Sequence, residues 1–162
     1  GDFATALREL RTARRLTGSD DQLAAIADSE RALGRPDKAL DVVSSAPPGL
    51  APEIQVELLI VASGARLDLG QPEVARQTLE IGELDAAPTS GSPEVRQARA
   101  RLLSAYADTL SALGQADEAQ RWLAKAAQAD LDGSTGAAER LGLAEADIDF
   151  VDLDPDDAEA DE

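Results

Sequence analysis

Four glycines, Gly1, Gly34, Gly70 and Gly114, stand in matching surroundings, and that register limits the folds open to the chain more than any other feature. Five residues after each comes an alanine: Ala6, Ala39, Ala75 and Ala119. Nine after it the residue is aliphatic (Leu10, Val43, Leu79, Leu123), and twelve after it very small (Ala13, Ala46, Gly82, Ala126). Before Gly34, Gly70 and Gly114 the columns continue, with Leu33, Leu69 and Leu113 one residue ahead and Ala27, Ser63 and Ala107 seven ahead. Leu23, Leu59 and Leu103 stand eleven ahead. Small residues on both sides of a turn let two helices approach closely, and the aliphatic columns fill the seam between them. The register therefore predicts an antiparallel helix pair repeated along the chain.

The glycines are spaced 33, 36 and 44 residues apart. With the turn Gly, the downstream Ala and the helix lengths, this spacing resembles the tetratricopeptide repeat, a pair of antiparallel helices of about 34 residues. The match covers residues 1 to 130, and the third step carries an insertion. The family's large aromatics are mostly Leu or Val here, and no proline follows Ala129 where the repeat would end. Wording such as ELRTARRLTGSDDQL is also similar to that of repeat proteins of high-GC actinobacteria. The resemblance implies an all-α fold, an α-solenoid of helix hairpins in a right-handed superhelical stack.

On this reading residues 1–143 form the repeat domain, with a half repeat over 1–17, repeats over 19–47, 52–84 and 92–130, and a cap helix over 134–143. Capping chemistry sets the expected helix starts. Ser19 with Gln22 has capping-box spacing, Pro36, Pro52, Pro72 and Pro93 suit a first helical position, and Ser92 is a good N-cap. Pro47-Pro48-Gly49 and the run Ala87 to Pro93 read as loops. Because the first residue is itself a turn glycine, the register expects a partner helix for residues 3–16 upstream, and the chain reads as a fragment. Arg8, Arg11 and Arg15 share a helical face with Arg14 beside them, a pattern expected of a solvated surface.

The formal net charge of −17 is unevenly placed. Residues 1–143 hold 22 acidic and 15 basic side chains, whereas residues 144–162 hold 10 acidic and no basic ones. Dense charge with few apolar residues predicts an acidic disordered tail over 144–162, interrupted by Ile148, Phe150, Val151 and Leu153, a segment able to dock on a partner. Such a charge repels phosphate backbones and anionic lipid, so the expected partner is another protein or peptide, with no nucleic acid and no membrane. No apolar run approaches a membrane span and no signal-type N-terminus is present. Cytoplasm is the default location.

His, Cys, Met and Asn do not occur, which removes Ser/His/Asp and Cys/His catalysis and the imidazole metal ligand. Asp20-Asp21 and Asp117-Glu118 fall at helix starts, where they complement the helix dipole. Asp130, Asp132, Gly133 and Ser134 match the front of a calcium loop, but Thr135 and Leu141 stand where that loop needs Gly and Glu. The chain is thus expected to be non-enzymatic, without cofactor or metal.

The site that the resemblance implies is a groove lined by the first helix of each pair. Its expected lining is Asp21, Ala24, Asp28 and Arg31, then Glu57, Ile60, Gly64 and Leu67, then Arg101, Ser104, Asp108 and Ser111. Of these, Asp28, Arg31, Ile60, Leu67, Arg101 and Asp108 are the candidate protein-binding residues. Family members that clamp a C-terminal carboxylate use Lys, Arg and Asn at corresponding places, where this chain has Ala24, Asp28, Gly64 and Asp108 and keeps only Arg101. A peptide or helix of mixed polarity is the expected occupant. The expected function is a scaffold for protein–protein interaction through groove, tail or both. The alternatives are a self-assembly module pairing through its open N-terminal edge, and a regulatory subunit of a separate enzyme.

Overall fold

The computed structural model describes residues 2–82, 84–87 and 89–142. Among them every regular element is a helix: α1 (Phe3–Thr17), α2 (Leu23–Ala32), α3 (Pro36–Ser44), α4 (Pro52–Asp68), α5 (Pro72–Leu79), α6 (Pro93–Ala112), α7 (Ala116–Ala129) and α8 (Ala137–Arg140). No helix among the described residues is long and apolar enough to cross a membrane.

Three glycine turns close three helix pairs with one hydrogen-bond pattern. Gly34, Gly70 and Gly114 have φ of 72°, 70° and 77°, a region that a β-carbon makes strained. The amides of Arg35, Gln71 and Gln115 donate back to Glu30, Arg66 and Leu110, while those of the glycines donate to Arg31, Leu67 and Ser111. This is the Schellman arrangement, which satisfies carbonyls that the ending helix leaves free. Proline then opens α3 and α5. The turn reverses the chain within a few residues, so α2 packs on α3, α4 on α5 and α6 on α7.

The small-residue columns lie in the seams. Ala39 and Ala75 are fully buried, Ala119 is 6% exposed, and Ala27, Ser63 and Ala107 face them from the preceding helices with at most 1% exposure. Gly82, in the column twelve after the turn, shows why that column must be small: a β-carbon there would meet Leu102 Cδ2 at 2.7 Å. The first helices also pack on one another, α2 on α4 and α4 on α6, and α3 and α5 reach the first helix of the next pair. Two apolar clusters result. Ala27, Ala39, Val61 and Ala65 join α2, α3 and α4, and a larger cluster around Leu79, Leu103, Tyr106, Leu110 and Leu123 joins α5, α6 and α7 and receives Ala137 of α8.

Three expectations need correction. The helix expected from Ser19 starts at Leu23, with Gln22 as a cap whose side chain makes no cap hydrogen bond. Arg14 holds Asp20 Oδ1 through Nε (2.9 Å) and Nη2 (2.8 Å), and Ser19 Oγ accepts from the Asp21 amide, so residues 19–22 form a turn tied to α1. The arginine face of α1 is likewise not simply solvated: Arg11 Nη2 lies 2.6 Å from Glu30 Oε1, and that carboxylate is 1% exposed. The cap helix is shorter than 134–143, ending at Arg140, where left-handed Gly142 follows.

The insertion that lengthens the third glycine spacing is held from below. Arg99 of α6, 8% exposed, donates through Nη1 to Ala87 O (3.0 Å), Ser90 O (2.7 Å) and Ser90 Oγ (3.0 Å). A buried guanidinium thus receives its hydrogen-bond partners from the inserted loop.

Candidate functional site

Because α2, α4 and α6 lie side by side, their polar columns fall on one face, and the charges there pair across helix boundaries. On α2, Arg31 Nε donates to Asp28 Oδ1 at 3.0 Å, and its Nη1 reaches Asp68 Oδ2 on α4 at 3.4 Å. The Arg31 side chain crosses α4 at Gly64, where an added β-carbon would stand 3.3 Å from Arg31 Cζ. Burial alone would lower the Arg31 pKa, but hydrogen bonds and charges from Asp28 and Asp68 outweigh it and raise the value. Between α4 and α6, Arg101 Nε is 2.5 Å from Glu57 Oε1. At the far end Arg140 of α8 bonds Asp108 and donates to Ser104 Oγ at 2.9 Å, which ties the short helix to α6.

The structure therefore brings Asp28, Arg31, Arg101 and Asp108 onto one surface with Glu57 of the expected lining, and it supplies partners that residue spacing did not indicate, Asp68 and Arg140. Ile60 is half-buried and packs against the larger apolar cluster, so it contributes to packing as well as to the face. Leu67 is half-buried on α4. Arg101 is already engaged by Glu57. The tail residues Ile148, Phe150, Val151 and Leu153 lie outside the described residues.

A second surface was missed in the sequence. Tyr106 and Trp122, the chain's single Tyr and single Trp, meet edge to face with ring centroids 5.1 Å apart and planes at 79°. They line a cleft of about 540 Å³ between the end of α5 and α7, with Glu80, Gly82, Leu84, Asp85 and Ala86 on its other side. Tyr106 donates to Glu80 Oε1 at 3.1 Å, and Arg76 pairs with the same carboxylate. Burial, first, and the neighbouring Glu80 raise the Tyr106 pKa, partly offset by Arg76. A signal was available: Tyr106 and Trp122 each sit one position before a core column residue, Ala107 and Leu123.

The segment resembling the front of a calcium loop has its carboxylates occupied by protein donors. Gln97 Nε2 donates to Asp130 Oδ1 (2.8 Å), Asp132 Oδ1 (2.8 Å) and Ser134 Oγ (2.7 Å), and Asp130 Oδ2 accepts from the Thr135 amide (3.0 Å) and hydroxyl (2.5 Å). Among the described residues no group of three acidic side chains is placed to hold a metal ion. Burial alone would raise the Asp130 pKa, but hydrogen bonds from Thr135 and Gln97 outweigh it and hold the carboxyl below its ordinary value. A depressed pKa means that the ionised form stabilises this turn above the unfolded value of about 3.9, and that the contribution is lost as pH falls through the lower folded value. The Thr135 amide followed by NMR from pH 5 to pH 2 is expected to titrate with a midpoint below about 3.9. Gln97→Ala is expected to move that midpoint upward. A midpoint at or above the free value in the parent would mean that the network does not hold Asp130 ionised.

Comparison with known proteins finds no family model, no curated protein and no solved structure that this chain matches.

Proposed function

We propose that the chain is a non-catalytic scaffold of the tetratricopeptide type, an α-solenoid that binds another protein or peptide across the α2, α4 and α6 face. The observation that carries this reading is the run of side chains contributed by three successive helix pairs to one surface, Asp28, Arg31, Glu57, Arg101 and Asp108, with ion pairs that cross from α2 to α4, from α4 to α6 and from α6 to α8. Exposed ion pairs contribute little to stability, about 0–1 kcal/mol each, so a ligand can exchange for one at small cost. A face of alternating acid and base fits a peptide of mixed charge better than a lone carboxylate. The net charge supports a protein partner over nucleic acid or an anionic membrane, and a cytoplasmic setting belongs to the same reading.

The test is site-specific photo-crosslinking combined with pulldown. A photoreactive residue at Asp28 or Asp108 is expected to capture a defined partner that the same residue at exposed Lys38 of α3 does not. Capture lost when the chain ends at Leu143 would assign binding to the acidic tail, and capture from Lys38 alone would overturn the groove reading. Self-assembly is the second reading, favoured by the exposure of Phe3 and Leu16 on α1 (43% and 79%). Light scattering showing a concentration-dependent oligomer that Phe3→Ser abolishes would establish it.

A further inference from the structure

A lysine ammonium already rests on the one indole of the chain: Lys125 Nζ is 3.7 Å from the Trp122 ring centroid. Among the described residues no carboxylate stands within ion-pair distance of Lys125, so the ring is its principal attraction. The cleft beside it has acidic side chains on its other side. Asp85 is exposed and without an ion-pair partner among the described residues, and Glu80 is held in place by Arg76 and Tyr106. Leu84 supplies an apolar wall.

We propose that this cleft receives an arginine side chain from a basic segment of a partner protein, with the guanidinium competing with Lys125 for Trp122 and pairing with Asp85. A guanidinium suits the site better than an ammonium. Its plane stacks on an indole while its edge N–H groups donate to a carboxylate, and it gives up its hydration more readily. Lys125 then acts as a tethered occupant, a cation that keeps the ring covered until a better one arrives. The net charge of −17 attracts such a segment from a distance. The cleft lies between α5 and α7, apart from the α2, α4 and α6 face, so its test succeeds or fails independently of the crosslinking above.

Trp122 is the only tryptophan, and its emission reports the cleft alone. The probes are three end-blocked pentapeptides, Gly-Xaa-Gly-Xaa-Gly, with Xaa as arginine, lysine or the neutral isostere citrulline. The arginine peptide is expected to change Trp122 emission saturably, the lysine peptide to bind more weakly and the citrulline peptide not to bind. Asp85→Asn is expected to weaken arginine-peptide binding, and Lys125→Ala to strengthen it, each by roughly two- to fivefold. Both positions are removed from the apolar core, and unchanged circular dichroism melts would show that the variants fold. An emission change that does not saturate, that citrulline reproduces, or that lysine matches would overturn the proposal, as would a Lys125→Ala variant that binds more weakly.

Discussion

Ala119→Glu is expected to melt about 6–20 °C below the parent and to lose the cooperative unfolding of α6 and α7. Ala119 is 6% exposed and belongs to the apolar cluster that includes Leu103, Tyr106, Leu110 and Leu123. The members of that cluster are apolar and offer a carboxylate no hydrogen bond, so the new side chain either enters the seam at a high desolvation cost or forces the two helices apart. An unpaired buried charge costs several kcal/mol, about 3–5, against a total stability of about 5–15 kcal/mol. At about 2–4 °C per kcal/mol for a chain of this size the shift is large. Ala116→Glu is the control. Ala116 is exposed at the first turn of α7, where a negative charge complements the helix dipole, and its change is expected to stay within about 0.5 kcal/mol. Equal melting of the Ala119 variant and the parent in circular dichroism would mean that Ala119 does not sit between closely packed helices.

This prediction was legible in the sequence because its cause is local. A Schellman turn is specified by one glycine and the residues within six positions of it, and the alanine that follows must sit in the seam once the chain has reversed. Gly82 shows the same logic on the far side of the hairpin, since the column demanded a small residue and Leu102 supplies the reason. The columns of the candidate face were legible too, as exposed positions of the first helices. Their charge pairing was not. Arg31 and Asp68 are 37 residues apart, Glu57 and Arg101 are 44 apart, and Asp108 and Arg140 are 32 apart. Spacing within one helix carries no information about which turn of the next helix lies opposite. The same limit hid the turn at residues 19–22, where a good local capping signal lost to a fork from Arg14 on the neighbouring helix. The aromatic cleft required knowing that Leu84 to Ala86 fold back beside α7, and a loop sequence alone does not state its path.

Arg11→Ala is expected to cost about 3 kcal/mol, a far larger effect than loss of a solvated arginine produces. Arg11 is 53% exposed, but its partner Glu30 is 1% exposed, so the consequence falls on the carboxylate. Without Arg11, Glu30 retains Arg35 at 3.4 Å and little water. A buried charge deprived of its closer partner is costly in proportion to its burial, and Tm is expected to fall by about 6–12 °C. Glu30 also accepts the Arg35 amide through its backbone carbonyl, at 3.0 Å, inside the turn at Gly34. One residue therefore ties α1, the end of α2 and the start of α3 together. Replacing both members, Arg11→Leu with Glu30→Leu, is expected to recover most of the loss, because an apolar pair leaves no charge to desolvate. Arg8→Ala, exposed on the same helix, is expected to change stability by less than about 0.5 kcal/mol. Urea unfolding of the parent and the three variants completes the comparison. If Arg11→Ala matched Arg8→Ala, the Glu30 carboxylate would not depend on α1, and that helix would be held by the packing of Leu7 and the Arg14–Asp20 pair.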